Sequence, residues 1–178
     1  MTASNRKRST SAVLLAEYAQ IKEEQRARIG FRDNLLYVTL AAVTAVAAVA
    51  AQTDYPQLIL ALPVVCLVLG WTHLVNDEKI SAIGRYVRTE LASRLAEATN
   101  VEEPLFGWET YHRSDARRVS RKTTQTVVDL VAFLVTPFAA LITFWCHNTD
   151  SAPLVAVSIL EAAGLVVLGV RFLQYAER

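Results

Sequence analysis

Four runs of apolar residues, at 34–52, 56–75, 125–146 and 153–172, constrain this chain more than any other feature of it. A hydrocarbon core of about 30 Å takes roughly 20 residues at the helical rise, and each run has about that length. Backbone polar groups inside lipid must be satisfied within their own segment, so the runs predict helices and not open strands. With 53% hydrophobic residues over 178 positions, the composition is too apolar for an ordinary soluble domain. The expected class is an all-α integral membrane protein with four transmembrane helices in two hairpins, 34–75 and 125–172. About thirty polar residues precede the first run, which marks it as a retained span rather than a secretory signal.

Orientation follows from Lys and Arg, which hold loops on the cytoplasmic side. Seven precede the first run (Arg6, Lys7, Arg8, Lys22, Arg26, Arg28, Arg32), nine fall within 76–124, and Arg171 and Arg178 sit at the C-terminal end. The loops around Thr53 and at 147–152 have none. The expectation is a multi-pass protein of the bacterial plasma membrane with both termini and the 76–124 segment cytosolic. The formal net charge is only +1, which gives no field for nucleic acid, and none is expected as a partner. Cys66 falls within the second run and Cys146 ends the third. Their difference in depth exceeds disulfide reach and predicts two free thiols.

Between and around the spans the chain reads as helical. Residues 1–33 read as a mobile tail of ten residues followed by a helix from Ser11 with Leu14, Tyr18 and Ile21 on one face. That face suits packing on the central module, on a second copy, or at the membrane surface. Nothing breaks the helix for about 25 residues after Trp71, so the second span is expected to run on into the cytosol. Ile80, Ile83, Val87, Leu91 and Leu95 form a narrow stripe there that needs a partner helix. The segment 101–107 reads as a turn, and a second helix from near Trp108 leads into the third span. Segment 76–124 is thus a central cytosolic helical hairpin, with 173–178 a cytosolic tail. In the first span Ala41 and Ala45, Thr44 and Ala48, and Ala47 and Ala51 are each four apart. This spacing allows close helix approach and predicts a place inside a bundle and a homo-oligomer.

Glu161 is the residue most in need of explanation, because a carboxylate near mid-bilayer costs several kcal/mol. It should face protein or water. Counting depth brings Thr44, Pro63, Thr136 and Pro137 to about the same layer, which makes Glu161, Thr44 and Thr136 the midplane candidates for a pore. Each proline frees a carbonyl one turn back, at Ile59 and Phe133, to which a protonated Glu161 could donate. A packing acid, a cavity acid that attracts cations and a proton-coupling acid are the competing readings. Asp129, His73 and Arg171 share a shallower level and form a candidate polar group at the inner end, structural or gating.

Arg113, Arg117 and Arg121 recur at i, i+4, i+8, with Arg118 and Lys122 beside them. These residues suit anionic lipid head groups at the cytosolic face or a phosphorylated ligand, and equally act as a topological anchor. Trp108, Tyr111 and His112 next to them could stack on a base, or pack the turn against its neighbour. His73, His112 and His147 are dispersed, and no Gly-rich phosphate loop, nucleophile elbow or Cys-x-x-Cys is present, so neither an enzyme nor a metal or cofactor is expected. A cytosolic protein partner or small ligand at 76–124 fits the polar central module.

Three segments, Arg-Ile-Gly-Phe-Arg-Asp-Asn-Leu-Leu-Tyr at 28–37, Asn-Asp-Glu-Lys-Ile-Ser-Ala-Ile-Gly-Arg-Tyr at 76–86 and Phe-Gly-Trp-Glu-Thr at 106–110, resemble a group of uncharacterised small integral membrane proteins of actinobacteria. That resemblance covers most of the chain and implies the membrane fold without an activity. The short membrane hairpins joined to cytosolic helices resemble more loosely the SLATT-type bacterial membrane effectors, which implies permeabilisation of the cell's own membrane. The leading expectation is an oligomeric channel or membrane-disrupting effector with Glu161 facing the interior of the assembly and the cytosolic helices as gate. A non-conducting membrane-anchored scaffold is the alternative, and a small ion- or proton-coupled carrier the third.

Overall fold

The computed structural model describes residues 3–53, 55–101, 105–108, 111, 118–147 and 150–176. All regular structure among them is helical: α1 (Ala3–Gln52), a 3-10 turn at Pro56–Leu60, α2 (Ala61–Tyr86), α3 (Ala92–Thr99), α4 (Arg118–Leu130), α5 (Thr136–His147) and α6 (Ala152–Ala176). π-helical turns at Val87–Leu91 and Val131–Val135 join α2 to α3 and α4 to α5 without a break. Four helices are long and apolar enough to cross a membrane by length and composition. The chain forms two compact units, one of Met1–Phe31 and Asn76–Arg118, the other of Arg32–Val75 and Val119–Arg178.

In the first unit, Leu14 of α1 is buried with Val87, Leu91 and Leu95, and Tyr18, Ile21, Ile83 and Phe106 pack around them. The stripe on the second long helix therefore finds its partner in the N-terminal helix. Residues Ile83, Val87, Leu91 and Leu95 repeat every four positions, which drifts by about 40° per step on a helix of 3.6 residues per turn. The π-turn at Val87–Leu91 takes up the excess residue and keeps the stripe on Leu14. Tyr18 stacks on Phe106 at 4.2 Å between centroids. Asn76 Nδ2 donates to the Arg28 carbonyl at 2.6 Å, and Gln25 Nε2 to the Ile80 carbonyl at 3.2 Å. The expected mobile tail is instead helical from Ala3, and Lys7 Nζ donates to Asn100 Oδ1 at 2.8 Å. Asn100 caps α3 in the left-handed conformation that Asn tolerates.

Tyr86, beyond the apolar run of its helix, donates its hydroxyl to Glu17 Oε1 at 2.5 Å. That bond to a carboxylate holds the neutral phenol and raises its pKa above the ordinary value near 10, and nearby Arg94 opposes the shift. A raised folded-state value means a stabilising contribution present below the unfolded tyrosine pKa and lost as pH rises through the folded one. Tyrosinate absorbance in an alkaline titration should show one tyrosine titrating late, and Glu17→Gln should return it toward the others.

In the second unit, Leu60, Leu141, Phe144 and Leu165 form one buried cluster, and Leu74, Phe133, Leu168 and Phe172 another. Glycines set the closest approaches. A Cβ on Gly70 would lie 2.9 Å from Leu168 Cδ2 and 3.1 Å from Phe133 Cβ, and one on Gly169 would lie 3.0 Å from Leu134 Cδ1. Gly30, mid-helix in α1, has open space instead. Gly70→Ala should therefore cost about 1–2 kcal/mol, overpacking outweighing the gain in helix propensity. Gly30→Ala should stabilise by about 0.5–1 kcal/mol, both read from denaturant midpoints.

The first span departs from expectation. Its apolar window is 11% buried, against 39% for the second. It packs through a narrow face bearing Leu35, Leu36 and Thr39, while Ala41, Thr44, Ala45, Ala47, Ala48 and Ala51 are exposed. The small-residue faces point away from the rest of the chain, so within one copy this helix lies at the edge of the bundle.

Candidate functional site

The inward face of α6 carries Ser158, Glu161, Leu165, Leu168 and Phe172, spaced three, four, three and four apart. Glu161 thus occupies a core position in a regular apolar stripe, and it is 6% exposed. One of its carboxyl oxygens, Oε2, is buried with no hydrogen-bond partner among the described residues. The bond considered to the Ile59 or Phe133 carbonyl is not made, and the Ala61 N–H at the end of the 3-10 turn is shared between the Ile59 and Leu58 carbonyls.

Two contacts set the register of α5 against the antiparallel α6. Trp145 Nε1 donates to Ser158 Oγ at 2.8 Å, and Gly169 lies against Leu134. In that register Glu161 is opposite Ile142, and Thr136 is opposite Val167, about 9 Å further along the axis. On the parallel α2, Gly70 against Leu168 and Gly164 against Leu67 put buried Pro63 and exposed Val64 at the height of Glu161. The polar layer expected from depth counting is therefore dispersed. Thr44 is exposed and donates to its own helix at Leu40 O, 2.8 Å away. Thr136 donates to Val131 O at 3.0 Å, inside the π-turn that precedes Pro137. Ser158 accepts from Trp145 and donates to the Val155 carbonyl at 2.8 Å.

A second polar cluster lies at the other end of the same bundle. His73, 1% exposed, places Nε2 3.3 Å from Asp129 Oδ1, which also accepts from Gln125 Nε2 at 2.9 Å. Its ring lies 5.1 Å from Phe133 and 6.3 Å from Phe172, and Nδ1 is buried without a partner among the described residues. Arg171, expected at this level, is exposed and turns to Gln174 Oε1 at 3.4 Å, so it does not join the pair. Gln125, which completes the cluster, went unnoticed in the sequence. Its i, i+4 spacing to Asp129 was the available signal.

Of the basic run, Arg113 and Arg117 lie outside the described residues, and Arg118 opens α4. Arg121 is exposed, and Lys122 Nζ donates to the Tyr175 carbonyl at 3.4 Å, near the C-terminus of α6, where a cation is favoured. Trp108 and Tyr111 are exposed, and the aromatic that packs the turn is Phe106. His112 lies outside the described residues. Both cysteines are free, Cys66 buried and Cys146 exposed. Among the described residues no three His, Cys, Asp or Glu side chains are grouped to hold a metal. No family model matches the chain, and neither a curated protein nor a solved structure matches it.

Proposed function

We propose that the protein is a multi-pass protein of the bacterial plasma membrane, with both termini and the 76–124 segment cytosolic, that conducts protons or cations as a channel-type effector controlled by its cytosolic helices. The observation that carries this reading is the Glu161 carboxyl, buried at a core position with one oxygen unbonded among the described residues. An acid there adds less to packing than an apolar residue of its size and costs several kcal/mol in lipid, so its use is chemical. The His73–Asp129 pair, level with Phe172 and about 16 Å along the axis from Glu161, supplies a second ionisable station in the same bundle. Burial of Glu161 inside one copy moves the proposed path from the axis of an oligomer to the interior of each protomer. Copies would associate through the exposed small-residue faces of α1, and Arg121 and Lys122 would meet anionic lipid.

A non-conducting scaffold is the second reading, favoured by Leu165 and Leu168, which are fully buried between the two polar positions. Membrane potential in bacteria on induced expression, read with a voltage-sensitive dye for wild type and Glu161→Ala at matched membrane levels, separates them. Depolarisation by wild type and not by the variant is the expected result. Wild-type cells that keep their potential favour the scaffold, whose partner would then be sought by a pull-down through residues 76–124.

A further inference from the structure

We infer that the ion accepted at Glu161 is the proton, and that the site excludes alkali cations. The inference rests on the conducting reading above and narrows its substrate. A desolvated Na⁺ or K⁺ needs several oxygens to replace its hydration shell, as filters built from carbonyl rings provide. Among the described residues, the level of Glu161 offers one carboxyl group. By register Pro63 of α2 and Leu141 and Ile142 of α5 lie at this height; Pro63 and Leu141 are the buried ones, and none of the three has a polar side chain.

The other oxygens considered for this level already take part in hydrogen bonds or lie at other heights. Ser158 Oγ accepts from Trp145 and donates to Val155, and the Ile59 carbonyl accepts the Ala61 N–H. Thr136 is about 9 Å deeper and bonded to Val131. The Phe133 carbonyl, one turn before Pro137, belongs opposite Val170, about 13 Å from the Glu161 level. On α1, Thr44 is exposed and buried Thr39 donates to the Leu35 carbonyl at 2.7 Å. Cys66 is buried one turn deeper than Pro63 on α2, and a thiol is a poor ligand for a hard alkali cation.

A lone carboxyl group that cannot assemble a coordination shell can still bind and release a proton, with one oxygen open to receive it. Glu161 takes up a proton as the neutral acid and gives it back as the carboxylate, with no other bond made or broken. Toward the other end, past the buried Cys66 thiol, the next titratable groups among the described residues are His73 and Asp129, beyond Leu165 and Leu168. Transfer between the two stations requires water or a shift of these leucines.

The test uses purified full-length protein in liposomes. A potassium gradient clamped with valinomycin drives protons, followed by an internal pH dye, and tracer uptake follows sodium in parallel vesicles. Wild type should move protons at least about tenfold faster than it moves sodium, with Glu161→Gln at the level of empty vesicles and Glu161→Asp, which still titrates, retaining flux. Sodium flux equal to or above the proton flux, or wild-type proton flux in Glu161→Gln, would overturn the inference and leave conduction intact. No flux of either ion would overturn the conducting reading itself.

Discussion

Glu161→Met is expected to raise the unfolding midpoint of the detergent-solubilised protein and, on the conducting reading proposed above, to abolish ion flux. The carboxyl sits in the 158, 161, 165, 168, 172 stripe of α6, and its Oε2 has no partner among the described residues. Replacing an unbonded buried polar group by an apolar one of similar length removes a desolvation cost of about 1–3 kcal/mol. Methionine can adapt to the shape of the site, so little of that gain should be lost to strain. Stability and activity then move in opposite directions, the mark of a group kept for its chemistry. Loss of stability in Glu161→Met, measured by chemical denaturation, would show instead that the acid holds the helices together, and would favour the scaffold.

The opposite sign is expected at the other cluster. Asp129→Ala removes the acceptor of both His73 Nε2 and Gln125 Nε2, leaving His73 buried among Phe133 and Phe172 with neither ring nitrogen bonded. Breaking a buried pair on one side should cost about 3 kcal/mol. Replacing both members, His73→Phe with Asp129→Leu, should recover most of that loss, because no polar ring remains to be desolvated. A double-mutant cycle in denaturant gives the coupling directly. A loss in Asp129→Ala below about 1 kcal/mol would mean that the pair does not hold the α2–α4 contact.

Much of the second long helix was legible in the chain. Its run past Trp71 to Thr99 follows from the absence of proline there, Gly84 alone not breaking it, and of its stripe Val87, Leu91 and Leu95 are buried and Ile80 and Ile83 partly so. The identity of the partner was not legible. Leu14, Tyr18 and Ile21 carried a matching face, yet the same face suited a membrane surface or a second copy, since periodicity gives a face without saying what covers it. The small-residue pairs of the first apolar run were ambiguous for a related reason. Four-residue spacing permits close approach, and here the faces that permit it are turned outward.

The candidate site divides in the same way. Length, hydropathy and position along each run determined four apolar helices, a buried acid in the last of them and two free thiols, because these depend on residues near in sequence and on helical rise. Depth counting put His73, Asp129 and Arg171 at one level and Glu161, Thr44 and Thr136 at another. Only the tertiary structure decided that His73 meets Asp129 while Arg171 turns out, that Thr44 faces away, and that Thr136 lies deeper and is spent on the π-turn. The physical reason is that a sequence measures height along a helix axis. The direction a side chain takes around that axis, and the register between helices, are set by contacts such as Gly70 on Leu168 and Trp145 on Ser158, between residues far apart in the chain or on different helices.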